Sequence, residues 1–150
     1  MSKNTIIACL IGFCLILFLG LAYYYFMYHY TVLQVADIRA KNNVFEWSEV
    51  GVKKAKRVED AVGGMEYAFF YYPGNSAWQI AGSQCEILLE TLRQNSVRRM
   101  IATLNERFPE SSKGDSPVAW IEAYGNKHRL DSIRESQWYK YYKDWYDQSP

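Results

Sequence analysis

Hydrophobic and polar positions along this chain first separate at its N-terminal end. From Thr5 to Met27 no residue is charged, and Ile6 to Leu21 is almost wholly Leu, Ile, Phe, Ala, Cys and Gly. A helix needs about 20 apolar residues to cross a bilayer's hydrocarbon core, and this run is long enough. Tyr23, Tyr24, Tyr25, Tyr28 and Tyr30 crowd its far end. Tyrosine rings settle at the headgroup level, so the cluster reads as an interface anchor. Ala8, Gly12 and Gly20 recur at multiples of four, a small-residue stripe along which two spanning helices pack closely.

Beyond the anchor the pattern becomes mixed. Val32, Leu33, Val35, Ala36 and Ile38 continue it as a juxtamembrane stalk, and Asn42-Asn43 reads as a break. Residues 44–62 fit a helix weakly and, over Val44 to Val52, a strand equally well. Gly63-Gly64 punctuates the chain. Aromatic-dense Met65 to Tyr72, the turn Pro73-Gly74-Asn75-Ser76 and the alternating Ala77-Trp78-Gln79-Ile80 together predict a β-hairpin pairing residues 67–72 with 78–81.

The clearest helix follows. Ser83 and Glu86 form a capping box, and Cys85, Leu88, Leu89 and Leu92 make an apolar stripe expected to be core. Val97, Ile101, Leu104 and Phe108 make a second stripe, with a slip of register near Asn95-Ser96 that implies a bend or two abutting helices. Pro109 ends it. Ser116-Pro117 opens a short helix carrying Trp120, Ile121 and Tyr124 on one face, with Gly125 as its C-terminal cap. Residues 132–147 then place Trp138, Tyr139, Tyr141, Tyr142, Trp145 and Tyr146 along one side of a further helix.

The expected fold class is therefore α+β: a single N-terminal transmembrane helix, then a small, mainly helical domain with a β-hairpin. Its parts are residues 1–30 (signal anchor with aromatic belt), 31–43 (stalk) and 44–150 (extracytoplasmic domain). A cleaved signal peptide competes, because Gly20-Leu21-Ala22 suits a signal peptidase. The apolar run exceeds the usual signal-peptide length of about 7–15 residues, which favours retention. Orientation follows the flanking charge: Lys3 precedes the run, and Arg39 and Lys41 come well after it, so the N-terminus is expected in the cytoplasm.

Charge narrows the partners. All 16 acidic residues and all but one of the 17 basic residues lie beyond the apolar run, so that part is formally neutral. It lacks the positive field of a nucleic-acid binder. The basic run Lys53-Lys54-Ala55-Lys56-Arg57, flanked by Glu49, Glu59 and Asp60, reads as a solvated helix face. Cys85 is the only thiol outside the apolar run, which precludes an internal disulfide there and a cysteine-built zinc site.

One similarity rests on Tyr72-Pro73-Gly74, Gly82-Ser83, Val97-Arg98-Arg99-Met100-Ile101, Leu104, Gly114-Asp115-Ser116-Pro117, Trp120-Ile121 and Tyr124-Gly125. This pattern, about the middle third of the chain, resembles one recurring in uncharacterised membrane-anchored or exported bacterial proteins. The resemblance implies an envelope location and assigns no chemistry. Phe108-Pro109-Glu110 departs from the glycine-containing loop of that pattern.

Candidate chemistry is sparse. His29 lies at the expected membrane interface, and His128 lies in the polar stretch Gly125-Asn126-Lys127-His128-Arg129, read as a loop. No phosphate loop, dinucleotide fingerprint, calcium loop or metal-binding helix motif occurs, and no cofactor or metal is expected. The sequence thus predicts a non-enzymatic single-span membrane protein whose domain binds another protein through Trp120, Tyr124, Trp138, Tyr142 and Trp145. Its expected partners are the lipid bilayer and an envelope protein, with homodimer contact through Ala8, Gly12 and Gly20. Two rivals are an accessory subunit docking by its transmembrane helix and a thiol or hydrolytic enzyme using Cys85 or His128.

Overall fold

The computed structural model describes residues 2–71 and 83–134. Among these described residues are five α-helices and one short 3-10 turn: α1 (Lys3–Lys54), α2 (Val58–Tyr71), α3 (Gln84–Arg107), the turn Pro109–Ser111, α4 (Pro117–Tyr124) and α5 (Lys127–Arg134). Among the described residues there is no strand. The expected α+β class is therefore corrected to all-helical. Residues 67–71, expected as the first hairpin strand, are the end of α2, while 72–82 lie outside the described residues. Aromatic side chains favour strands only as far as a half-buried pleat is there to receive them. Here Met65, Ala68 and Phe69 repeat at helical spacing and bury one face.

Contacts divide the chain into two units, Met1–Asp37 and Ile38–Pro150. The first is the apolar part of α1. Its best 18-residue window has a mean hydropathy of 2.8, and none of that window is buried. By length and composition it is a helix able to cross a membrane.

In the second unit α1 runs unbroken through Asn42-Asn43, where a break was expected. The Asn42 amide donates to Glu46 Oε1 at 2.7 Å, one turn on, so a residue that often interrupts helices supports this one. Phe45, Ser48 and Val52 are buried beneath it. Gly63-Gly64, expected as punctuation, lies inside α2. A Cβ on Gly64 would stand 3.2 Å from Val52 Cγ2 and 3.5 Å from the Ser48 carbonyl oxygen. Glycine there lets α2 press against α1.

The core takes Phe45 and Val52 from α1, with Ala61, Val62, Met65, Ala68 and Phe69 from α2. Leu89, Val97, Met100, Ile101 and Leu104 come from α3, joined by Trp120, Ile121 and Leu130 from α4 and α5. Helix α3 is one continuous element without the expected slip. Its buried positions are 86, 89, 90, 93, 96, 97, 100, 101 and 104, a single helical stripe. In the first half that stripe is polar: Glu86, Glu90, Arg93 and Ser96. Ile87 and Leu88, the latter expected in the core, face outward at 43% and 50% exposure, and Leu92 is half-buried at the core's edge.

Buried charge is held by specific partners. Arg93 is fully buried; its Nε donates to Glu90 Oε2 at 2.9 Å, its Nη2 to Glu90 Oε1, and its Nη1 to the Phe69 carbonyl at 3.0 Å. The residue four positions beyond that carbonyl is Pro73, which has no N–H to offer it. Gln94 Nε2 also donates to Glu90 Oε1, at 2.9 Å.

The caps occur where the sequence placed them. Ser83 Oγ accepts the Glu86 amide at 3.2 Å, Ser116 Oγ accepts the Ala119 amide at 3.3 Å, and Phe108 closes α3 before Pro109. Gly125 caps α4, but with φ −113°, outside the left-handed region. Glycine is required there for a different reason. The Glu66 carboxylate of α2 presses against it, accepting the Asn126 amide through Oε1, and the Ile121 carbonyl oxygen stands 3.0 Å from where a Cβ would be. His128, expected in a loop, lies in α5.

Gly125→Ala should destabilise the micelle-held full chain by about 1–3 kcal/mol in chemical denaturation read by helical circular dichroism. Glu66→Ala strands the Asn126 amide at a similar cost, and the double variant should lose less than the sum. Arg93→Met, which leaves Glu90 buried without its cation, should cost about 3–5 kcal/mol, and adding Glu90→Leu should recover much of that loss.

Candidate interaction surface

Trp120 and Tyr124, expected as partner contacts, are occupied inside the domain. Trp120 is fully buried, and its indole Nε1 donates to the Gly114 carbonyl at 2.9 Å. Gly114 has φ 68°, a left-handed conformation suited to glycine, and its carbonyl also accepts Asn105 Nδ2 at 3.2 Å. The Tyr124 hydroxyl donates to the Ser111 carbonyl at 3.3 Å, and Lys113 Nζ lies 5.5 Å from its ring centre. These two aromatics fix the loop between α3 and α4. Trp138, Tyr142 and Trp145 lie outside the described residues.

Ala8 and Gly20 are exposed along α1 and Gly12 is half-exposed; neither glycine has a neighbour within 4 Å of where its Cβ would stand. Cys85 is half-buried in the first turn of α3, and His128 is exposed on α5. His29 packs its ring edge-on to Tyr25, centroids 4.3 Å apart. Among the described residues, no three of His, Cys, Asp and Glu gather as metal ligands would.

The surface that does stand out lies on α1 and α2. Trp47 is 80% exposed and Tyr67 55% exposed. With Asn43 and Val44 they line an open depression of about 350 Å³. Helical geometry explains the placement. Phe45, Ser48 and Val52 turn inward, and Trp47, two residues beyond Phe45, is rotated about 200° from it at roughly 100° per residue. Gly64 faces α1, which leaves Tyr67, nearly a turn later, at the margin of the same seam. Sequence reasoning missed this face because residues 44–62 could not be settled between helix and strand. Without a period, Trp47 had no side to belong to. A helical projection of residues 44–54 alone would have set Trp47 opposite Phe45.

Polar clamps hold these helices in register. Ser96 Oγ donates to Glu49 Oε1 at 2.6 Å, and Arg99 reaches the same carboxylate through Nη2 at 2.5 Å and Nε at 3.1 Å. Arg107 grips the end of α1, with Nη1 donating to the Val52 and Lys53 carbonyls at 2.7 Å each and Nη2 to the Ala55 carbonyl at 2.6 Å. Partial burial pushes the Glu49 carboxyl up, but the hydrogen bonds from Arg99 and Ser96 and the charges of Arg99 and Lys53 outweigh it. The carboxyl is held below its ordinary value.

No protein-family model matches this chain, and no curated protein or solved structure matches it.

A depressed carboxyl pKa fixes the sign of a pH effect. Glu49's contribution is complete above the ordinary carboxylate pKa and is lost as pH falls through its lowered one. Arg99 is largely exposed, so the contribution is about 1 kcal/mol or less. Glu49→Gln should remove it at neutral pH and flatten the acid limb of a stability–pH curve. Equal acid limbs in the two proteins would contradict the clamp.

Proposed function

We propose that this protein is a membrane-anchored interaction module: α1 spans the bilayer, and its helical domain meets a protein partner on the extracytoplasmic side. The observation that carries this reading is the unburied, charge-free apolar segment at the start of α1. About 20 exposed residues of that kind are unfavourable in water and favourable in lipid. Tyr23, Tyr24, Tyr25 and Tyr28, all exposed, follow it as headgroup-level anchors. Lys3 ahead of the span supports a cytoplasmic N-terminus. The interaction role is supported by the exposed aromatics Trp47 and Tyr67, since such residues are enriched where proteins meet.

The full-length chain should remain in the membrane pellet after alkaline carbonate washing, with its intact N-terminus seen by mass spectrometry. Leu17→Arg places a cation mid-span at a cost of about 2.5–3.5 kcal/mol and should release a large part of it. Protease added outside intact cells should digest the domain. A mature chain beginning near Tyr23 in the soluble fraction would overturn the anchored reading.

A further inference from the structure

We propose that the Trp47–Tyr67 face of α1 and α2 is a self-association surface, where a second copy of this chain inserts its Trp47 into the depression beside the first copy's Trp47. The inference rests on the anchored-module reading and names that module's partner.

Self-contact about a two-fold axis requires one patch to carry both a projection and a recess. This patch does. Trp47 projects at 80% exposure, and the open recess of about 350 Å³ lies directly against it, lined also by Val44, Asn43 and Tyr67. Near such an axis like residues meet like, so charged side chains would repel. Among the described residues that line the recess, none is charged, in a chain that is 22% charged.

The glycines add a second observation. An interior helical glycine costs about 1 kcal/mol relative to alanine. Gly64 has a reason within the chain, its close approach to Val52. Gly63, one turn before Tyr67 in the middle of α2, has none: a methyl group there would find no atom within 4 Å. Gly51, one turn beyond Trp47, is equally open. Missing side chains beside an exposed tryptophan leave room for another backbone to come near.

Area sets the circumstances of the contact. Trp47, Tyr67 and the half-exposed Val50 offer roughly 400 Å² per copy, taking 150–250 Å² for each aromatic. A standard interface takes about 800 Å² from each partner. Free copies at low concentration should therefore stay apart. Copies held in one bilayer face a much higher effective concentration and a shared orientation, and half an interface then suffices.

The test places a photo-crosslinking benzoylphenylalanine at Asn43 in the full-length chain, in native membranes and in proteoliposomes holding this chain alone. Both should give a product of twice the chain mass, with the crosslinked peptide mapping to residues 43–67 of the second copy. Trp47→Ala or Tyr67→Ala should lower its yield about ten-fold. Both side chains are exposed, and unchanged circular dichroism checks that each variant keeps the fold. Dilution into excess detergent micelles should abolish the product. A crosslink to a different protein, to lipid or within one molecule to residues 135–150 overturns the proposal, as does no crosslink at all. So does a dimer indifferent to Trp47→Ala but lost in Gly12→Ile, which would assign the contact to the span. Carbonate washing reads the anchor independently, so a retained chain that fails to crosslink refutes the self-contact and leaves the anchored reading standing.

Discussion

The domain depends on a guanidinium placed where water cannot reach it. Arg93 lies in the buried stripe of α3, and its three nitrogens satisfy the Glu90 carboxylate and the Phe69 carbonyl at once. An isolated buried charge costs several kcal/mol, so each of these partners must stay within hydrogen-bonding reach. That requirement ties the end of α2 to the first half of α3. It also fixes the rotation of α3 about its own axis, and with it which of its residues face Phe69, whose ring lies 5.5 Å below the guanidinium.

The same device recurs at other helix ends. A helix leaves its last carbonyls and first amides without internal partners. Arg93 takes up one such carbonyl on α2, and Arg107 takes up carbonyls at the end of α1. Glu66 receives the amide of Asn126 at the entry to α5. Helix α4 is only eight residues long, too short to persist alone in water, and α5 is described over eight. What holds them is the burial of Trp120, Ile121 and Leu130 together with these end contacts.

Legibility in the sequence followed the range of the governing interaction. The caps at Ser83 and Ser116-Pro117, the stop at Pro109 and the end of α4 at Gly125 were readable because each is decided within a few residues. The apolar run was readable from composition alone. The face of α3 was not. Its stripe is polar at Glu86, Glu90 and Arg93, so counting apolar residues rotated the helix toward Leu88 and created a false slip near Ser96. The end of α2 reads as a hairpin strand from sequence because its aromatics suit a pleat and Gly63-Gly64 ahead of them reads as a boundary. Gly64 is explained only by Val52, twelve positions earlier and on another helix. Trp120 reads as a contact residue from sequence because indole rings are common in interfaces; in the structure it is buried, with its Nε1 on the Gly114 carbonyl.

Arg107 gives the domain a mechanical character. Within the domain, Phe45, Ser48 and Glu49 precede the segment it grips and are themselves buried or clamped, so tension drawn along α1 from its N-terminal side loads them before it reaches the Val52, Lys53 and Ala55 carbonyls. Those bonds share the load through one rigid planar group. The clasp between the two helix ends is thus a backstop, strained only after Phe45 and the Glu49 carboxylate have given way.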